Sequence, residues 1–206
     1  LRVGVTGVTT TWVPVWERPE NMTNWRVTDA VEAAKAACNE MRAQGVDLAV
    51  CIYHGGFEDD LVTGKNLSRT TENQACRIAR ECGFDALFTG HQHIAQAGVM
   101  LADTLVCQTP ANAAQYISAE LTEEGGRKAD LVDPVQPADE QLAAQLTGFG
   151  RALDEFLDAP LGRLNMPLIP GEKMNMALHG SPVANFFNMV QLAATGAEIS
   201  CTCLAN

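Results

Sequence analysis

Two apolar runs of strand length, each closed by glycine and histidine, constrain this chain more than any other feature of its sequence. The first is DLAVCIY at 47–53, which HGG follows at 54–56, and the second is FDALFT at 84–89, which GHQH follows at 90–93. Continuous apolar runs of this length are typical of parallel strands that are buried on both faces. The two runs therefore predict neighbouring strands in the interior of a parallel sheet.

Helical patterns precede both apolar runs. Residues 28–44 begin with the capping pair Asp29 and Glu32 and stop at Gly45, and residues 71–82 likewise stop at a glycine. The order helix, strand, helix, strand is the pattern of an α/β fold with a parallel sheet.

The remaining segments predict further strands and a second unit. Short β-like runs stand at residues 2–8, 99–101, 104–108 and 116–121. We expect the last three of them to form a more antiparallel section. Two adjacent glycines and two prolines mark residues 123–138 as a domain boundary. Residues 139–157 predict an amphipathic helix, and a Pro-rich connection, a helix near 182–195 and a strand from Glu198 follow it.

Composition and charge argue against several classes of function. A net charge of −11 over 206 residues disfavours binding to nucleic acid and to anionic membrane surfaces. No run reaches the ~20 apolar residues that span a bilayer, and no signal peptide is visible, so the localisation stays open. The seven cysteines include no CxxC pair, and they predict reduced, buried thiols.

Three of the four histidines follow the two predicted parallel strands. A right-handed crossover places the carboxyl ends of such strands at one edge of the sheet, where ligands bind in open α/β sheets. His54 can therefore meet His91 and His93, whose side chains share a face if their segment is extended. Neutral imidazole binds zinc, manganese and iron.

The residues alone leave open whether these histidines are metal ligands or capping and surface residues. A two-metal centre also needs carboxylates, above all a bridging one. Asp59 and Asp60 stand close to His54 in the sequence, but their polar loop predicts solvated charges.

Several segments resemble the calcineurin-like metallophosphoesterases of the 5'-nucleotidase and 2',3'-cyclic-nucleotide 2'-phosphodiesterase family. The GHxH motif of that family is similar to LFTGHQH at 87–93, and its strand–His–Gly element is similar to CIYHGGFEDD at 51–60. Its Glu-Asn helix resembles TENQACRIA at 71–79, and the segment after its Asn-His motif resembles RVGVTGVTT at 2–10. The start of its nucleotide-recognising C-terminal domain resembles residues 177–200.

The resemblance implies a fold and its boundaries. The expected class is α/β: a partial metallophosphoesterase sandwich of parallel strands with crossover helices and then antiparallel strands, followed by a linker helix and a truncated α/β C-terminal domain. The second half of the metallophosphoesterase domain would cover residues 1–133, and the linker helix 134–160. The start of the 5'-nucleotidase C-terminal domain would cover residues 161–206.

The resemblance also implies an activity, which is the metal-dependent hydrolysis of a small nucleotide, as a 5'-nucleotidase or a 2',3'-cyclic phosphodiesterase. His54 and His91 would bind one of two divalent ions (Zn, Mn or Fe), and His93 would bind the other. The bridging aspartate, the asparagine ligand and the catalytic histidine of the family belong to motifs upstream of this sequence. We therefore expect no catalytic residue in this chain, weak activity or none, and self-association through an exposed half-domain face. Substrate-binding residues stay unknown, and members of this branch are often exported.

One alternative to an enzyme stays open, which is a non-catalytic metal-binding or structural α/β module that contains the same histidines. A Rossmann-like nucleotide binder is disfavoured, because no GxGxxG motif follows a strand. Glu72 and Asn73 either orient the metal loop or begin a helix. His179, the fourth histidine, is expected to be a surface or helix-capping residue.

Overall fold

The two apolar runs form neighbouring strands of a mixed sheet. The structure is a computed structural model that describes residues 1–169 and 171–202. The chain forms two compact units, and the sheet belongs to the first of them, Leu1–Pro137. The strands of this unit are β1 (Val3–Thr9), β2 (Leu48–His54), β3 (Ala86–Thr89), β4 (Gln96–Leu101), β5 (Thr104–Gln108), β6 (Tyr116–Leu121) and β7 (Arg127–Val132). The first five form one sheet in the order β1-β2-β3-β5-β4, and β6 and β7 form a hairpin. Strands β1, β2, β3 and β5 are parallel, whereas β4 is antiparallel to β5.

Helices cover one face of the sheet, and the hairpin covers part of the other. The helices of the first unit are α1 (Val13–Trp16), α2 (Ala30–Ala43) and α3 (Ala75–Glu81), with a 3-10 turn at Pro19–Met22. Val31 of α2 and Ile78 of α3 belong to the same buried cluster as Cys51 and Leu87 of the sheet. On the opposite face, the hairpin packs against β3 and β5 around Ala129. The α2 helix begins as expected, because the Asp29 carboxylate accepts hydrogen bonds from the first turn.

Helix α3 begins at Ala75, although the sequence pattern predicts a helix from residue 71. The buried Glu58 carboxylate, contributed by the loop after β2, accepts hydrogen bonds from the N–H groups of Cys76 at 2.8 Å and Arg77 at 2.7 Å. A residue distant in sequence thus satisfies the first turn of α3, and a pattern read along the chain does not show such a cap.

The later strands differ in part from expectation. Residues 123–138 contain β7, which the sequence pattern does not predict, and the two adjacent glycines lie in the turn between β6 and β7. The division between the two compact units, after Pro137, falls within the same segment. The charged residues on the solvent face of RKADLV at 127–132 weaken its strand pattern. The expected antiparallel section is also incomplete, because β5 pairs in parallel with β3.

The second unit, Ala138–Asn206, is helical over its described residues. Its helices are α4 (Glu140–Leu157), α5 (Lys173–His179) and α6 (Pro182–Thr195). The first and third agree with expectation, whereas α5 lies within the expected Pro-rich connection. Residues 198–202 form no strand, and the rest of the expected final strand, 203–206, lies outside the described residues. None of the three helices has a buried residue, and the predicted apolar face of α4 is exposed. The separate linker helix and C-terminal domain stay predictions.

Most of the cysteines are buried thiols, as the sequence predicts. Five of the six described cysteines are buried and free: Cys38, Cys51, Cys76, Cys82 and Cys107. Desolvation raises the pKa of Cys51 and of Cys76 to about 12, so these thiols stay protonated at neutral pH. Cys201 is exposed, and Cys203 lies outside the described residues.

Across the described part of the chain, no helix has both the length and the apolar character that crossing a membrane requires.

Candidate metal centre

The carboxyl ends of β2 and β3 bring two of the candidate histidines together. His54 is the last residue of β2, and His91 follows β3 by two residues. Because these strands pair in parallel with Tyr53 opposite Thr89, both segments leave the sheet at the same edge. The imidazole centroids of His54 and His91 lie 5.4 Å apart, and the ring planes are inclined by 67°.

The loop after β3 is bent. His91 and His93 have positive φ angles of 74° and 58°, so the segment is not extended, and the expectation of a shared face rested on a wrong premise. Such backbone strain costs of order 1–3 kcal/mol per residue and clusters at functional sites. His93 is exposed, and the ligand nitrogens of His54, His91 and His93 do not form a group within 4.8 Å of one another. The assignment of the three histidines to metals stays a prediction.

A glutamine between the two histidines of this loop fastens it to the loop after β2. The Gln92 side-chain N–H donates to the Phe57 carbonyl oxygen at 3.0 Å, and the Gln92 side-chain oxygen accepts from the Phe57 N–H at 2.8 Å. A Cβ atom at Gly56 would lie 2.1 Å from Gln92 Cδ, so this contact requires glycine. The separation of the two loops is thus set by a side chain as well as by the strand ends.

Replacing Gln92 with alanine should loosen this connection. We expect Gln92→Ala to lower the free energy of unfolding by ~1–2 kcal/mol, because two hydrogen bonds to the Phe57 backbone are lost. We also expect the affinity for Zn²⁺ to fall by ~10-fold, because the loops that carry the histidines become less fixed. Urea denaturation and zinc titration measure the two effects. Gln115→Ala is the control, since the Gln115 amide bonds to exposed Asp133 in a different loop. Unchanged zinc affinity in Gln92→Ala would contradict this role.

Glu72 and Asn73 contact the loops that carry the candidate histidines, and they precede the first residue of helix α3. Helix α3 starts only at Ala75. The Asn73 Oδ1 atom accepts a hydrogen bond from the Gly56 N–H at 2.8 Å. The Glu72 Oε1 atom lies 2.8 Å from His91 Nε2. The expectation that these residues begin a helix is therefore wrong, and their orientation of a metal loop stays a prediction.

Trp16 covers one side of the His91 ring. The two ring centroids are 5.1 Å apart, and the planes are inclined by only 23°. The segment that carries Trp16 is tied to the same region, because Trp12 Nε1 donates to Thr71 Oγ1 at 3.2 Å. Sequence reasoning missed Trp16, since an aromatic residue in an irregular loop has no spacing that indicates its partner.

In a second group of potential metal ligands, the two carboxylates already have structural partners. The ligand atoms of Glu58, Asp59 and Cys76 lie within 4.8 Å of one another, a grouping found nowhere else among the residues described. Burial raises the pKa of Glu58, whose carboxylate caps α3, and the hydrogen bond from Arg80 lowers the pKa of Asp59. Asp59 pairs with Arg80 at 2.6 Å, so the expectation of a solvated charge is wrong for it, whereas Asp60 bonds within its own loop.

The space beside His54 is open on the hairpin side of the sheet. A cavity of about 310 Å³ there is bounded by His54 and Thr109 and by the apolar side chains of Ile52 and Phe88. A group that binds at this strand edge can therefore approach His54 from that side. The fourth histidine, His179, is the last residue of α5 in the second unit and is exposed, as expected.

Comparisons of sequence relate the chain to nucleotide phosphoesterases, although no protein-family model matches it. The 2',3'-cyclic-nucleotide 2'-phosphodiesterase/3'-nucleotidase of Yersinia enterocolitica is 32% identical over 93 residues, which are 45% of this chain and 14% of that protein. The trifunctional nucleotide phosphoesterase protein YfkN of Bacillus subtilis is 29% identical over 94 residues, which are 45% of this chain and 6% of that protein. The match thus spans far less than two thirds of either relative.

Solved structures extend the likeness to the fold. A candidate 5'-nucleotidase from Staphylococcus aureus, in complex with alpha-ketoglutarate, matches with a TM-score of 0.79 and 26% identity, over 99% of this chain and 41% of that chain. The calcineurin-like phosphoesterase YfkN from Bacillus subtilis matches with a TM-score of 0.56 and 19% identity, over 75% of this chain and 52% of that chain. These matches confirm the expected α/β class and the partial fold.

Proposed function

Since this chain belongs to the calcineurin-like metallophosphoesterases of the nucleotidase type, of which it covers a part, we propose that it serves the metal-dependent hydrolysis of nucleotide phosphoesters. His54 and His91 are its ligands for one divalent ion, and His93 is its ligand for a second. The substrate is a small nucleotide that carries a 5'-phosphate or a 2',3'-cyclic phosphate.

One observation carries this proposal, which is the meeting of His54 and His91 at the carboxyl edge of the sheet. Their rings lie 5.4 Å apart, centroid to centroid, although the two residues stand 37 positions apart in the sequence. Ligands bind at this edge in open α/β sheets. The bent backbone at His91 supports the same reading, because strain is retained where the surrounding structure requires it.

The residues present fit part of a two-metal site. The two adjacent imidazoles offer nitrogen ligands of a type that suits zinc, manganese and iron alike. A pair of divalent ions, when bound, holds a phosphate group and lowers the pKa of a water molecule. The contribution of this chain is to hold the imidazoles in place, through Gln92 on one loop and Asn73 on the other.

The charge of the chain favours a cationic centre at this edge. A net charge of −11 repels a phosphate ester at long range. Bound divalent ions are the largest local charges in such sites and reverse the local field. Binding of an anionic substrate to this acidic chain should therefore depend on the metal.

A hydrolysis assay tests the proposal. The full chain is incubated with Mn²⁺ or Zn²⁺ and with a 5'-nucleotide, a 3'-nucleotide or a 2',3'-cyclic nucleotide, and the products are measured. We expect slow, metal-dependent hydrolysis that His91→Ala abolishes. His179→Ala is the matched control, because His179 lies in the second unit. Equal rates in the wild type and in His91→Ala would contradict the proposal.

The second candidate function is a metal-binding or structural module without catalysis. A two-metal centre needs a bridging carboxylate. Among the described residues, no carboxylate forms a group with both His54 and His91 in which all ligand atoms lie within 4.8 Å of one another. Zinc binding that depends on the histidines, without hydrolysis of any of the three nucleotides, would favour this candidate for the chain alone.

An exposed apolar face of the sheet should make the chain self-associate. Val3, Val5 and Ile52 are 51%, 60% and 55% exposed, and they lie on neighbouring strands at the β1 edge. Burying such a face, together with the unpaired backbone of an edge strand, favours association. We expect light scattering to show oligomers for the wild type and a monomer for a Val5→Lys/Ile52→Lys variant. Val62→Lys, in a loop and 94% exposed, is the control. A monodisperse wild-type monomer would contradict this prediction.

A further inference from the structure

Glu72 contacts a candidate metal ligand directly. Its Oε1 atom lies 2.8 Å from His91 Nε2, and both side chains are partly buried, with 30% of the Glu72 side chain and 23% of the His91 side chain exposed. A neutral imidazole carries one N–H group, and a carboxylate accepts hydrogen bonds but cannot donate them. This contact therefore places the imidazole proton of His91 on Nε2 and leaves the lone pair on Nδ1.

The backbone of Glu72 is anchored to the carboxyl ends of β1 and β2. Its carbonyl oxygen accepts hydrogen bonds from Thr10 Oγ1 at 2.6 Å and from the Tyr53 hydroxyl at 3.3 Å. Thr10 follows β1 directly, and Tyr53 immediately precedes His54 in β2. The backbone that carries the Glu72 side chain is therefore held beside this edge of the sheet.

An ordinary role for Glu72 at a helix start does not account for this arrangement. The first turn of α3 contains no acidic residue, and the cap of that helix is the Glu58 carboxylate. The side chain of Glu72 points instead to His91, whose ring also stacks on Trp16 and meets the edge of His54. Within the described residues, His91 Nδ1 forms no hydrogen bond.

We propose that Glu72 is a positioning residue that holds the His91 ring and its tautomer so that Nδ1 faces a divalent cation. The inference rests on the proposed function in one respect, which is that His91 is a metal ligand. Histidines that bind metals commonly donate their other N–H group to a carboxylate, and loss of that partner costs about 10–100-fold in metal affinity. Glu72 touches no reacting group in this arrangement, and it acts through His91.

Zinc titration of the full, metal-free chain tests the proposal in three variants. We expect Glu72→Ala to lower the affinity for Zn²⁺ by ~10–100-fold. We expect Glu72→Gln to restore part of this loss, because the amide oxygen can still accept from Nε2–H. Glu120→Ala is the matched control, since Glu120 pairs with Lys128 at 2.7 Å on the exposed hairpin.

A spectroscopic signature that needs no metal accompanies the titration. In proton NMR spectra of the metal-free chain, an N–H held by a carboxylate exchanges slowly and should give a downfield imidazole signal. We expect this signal in the wild type, its loss in Glu72→Ala and in His91→Ala, and its retention in Glu72→Gln and Glu120→Ala.

The outcomes separate failure of this inference from failure of the proposed function. Histidine-dependent zinc binding that is equally tight in Glu72→Ala and the wild type would overturn the positioning role alone. Absence of the imidazole signal from the wild type would also overturn it, whatever the zinc affinity. A wild type that shows the signal but binds no Zn²⁺ would overturn the proposed metal ligation and, with it, this role.

Discussion

Replacing both His54 and His91 with alanine should weaken the binding of Zn²⁺ to the metal-free chain by at least ~100-fold. Structural zinc sites with four ligands provide about 10–16 kcal/mol, which is roughly 3 kcal/mol per ligand. Loss of two ligands would then cost more than the ~2.8 kcal/mol that correspond to 100-fold. Because His54 is exposed and water can replace an exposed ligand, we expect the loss of binding free energy to be smaller than the sum for two ligands.

Calorimetric titration with Zn²⁺ and with Mn²⁺, beside the wild type, measures this effect. His179→Ala should bind as the wild type does, since His179 belongs to the second unit. His93→Ala should reduce the number of bound ions and leave the tighter site intact, because His93 is assigned to a separate ion. Equal affinities in the double variant and the wild type would mean that the two histidines form no site in this chain.

The position of His54 and His91 could be predicted from the sequence, because it depends on local patterns and on a general rule of topology. Each apolar run has strand length and ends in a glycine and a histidine, and parallel strands joined by a helix place those ends at one edge. Burial of the thiols in these elements follows from the same apolar patterns.

The parts of the site that the sequence did not reveal depend on single contacts between distant segments. Gln92 bonds to the Phe57 backbone, and Trp16 stacks on His91, and neither contact leaves a periodic trace along the chain. The left-handed backbone of His91 and His93 also leaves no signal in the sequence, because non-glycine residues rarely adopt it. Its cause is tertiary, and a pattern of residue types does not contain it.

Errors in the fold have the same origin. Strand β7 has charged residues on its solvent face, so its apolar alternation is weak, and two glycines before it suggested a boundary between domains. The true beginning of α3 is set by the Glu58 carboxylate, which comes from the loop after β2. For α3, local propensity predicts the existence of the helix more readily than it predicts the residue at which the helix begins.

Asp85, at the amino end of β3, should be the carboxylate that matters most for stability. Its side chain is 9% exposed, and its Oδ2 atom accepts from Arg42 Nη2 at 2.6 Å and from the Ala49 N–H at 2.7 Å. Its Oδ1 atom accepts from Arg127 Nη2 at 2.5 Å. This one side chain therefore joins α2, β2 and β7 to the start of β3. Its removal leaves two guanidinium groups and a buried N–H without their acceptor.

We expect Asp85→Ala to lower the free energy of unfolding by ~3 kcal/mol, measured by urea denaturation at neutral pH. Breaking a buried ion pair costs about 3–5 kcal/mol, and the lower end applies because the Arg42 side chain is 37% exposed and partly hydrated. Asp103→Ala is the control, because this exposed aspartate lies beside Arg127 and bonds to it only through its backbone carbonyl. A loss in Asp85→Ala no larger than in the control would contradict the prediction.

The zinc affinity of folded Asp85→Ala should equal that of the wild type, because Asp85 and the histidines lie at opposite ends of the same strands. Substitutions without shared partners have additive effects to within about 0.5 kcal/mol. Combining Asp85→Ala with His91→Ala should therefore leave both single effects unchanged, one on unfolding and the other on metal binding. Coupling larger than that would show that strain at the amino ends of the strands reaches the metal edge, and the two edges would then not be independent.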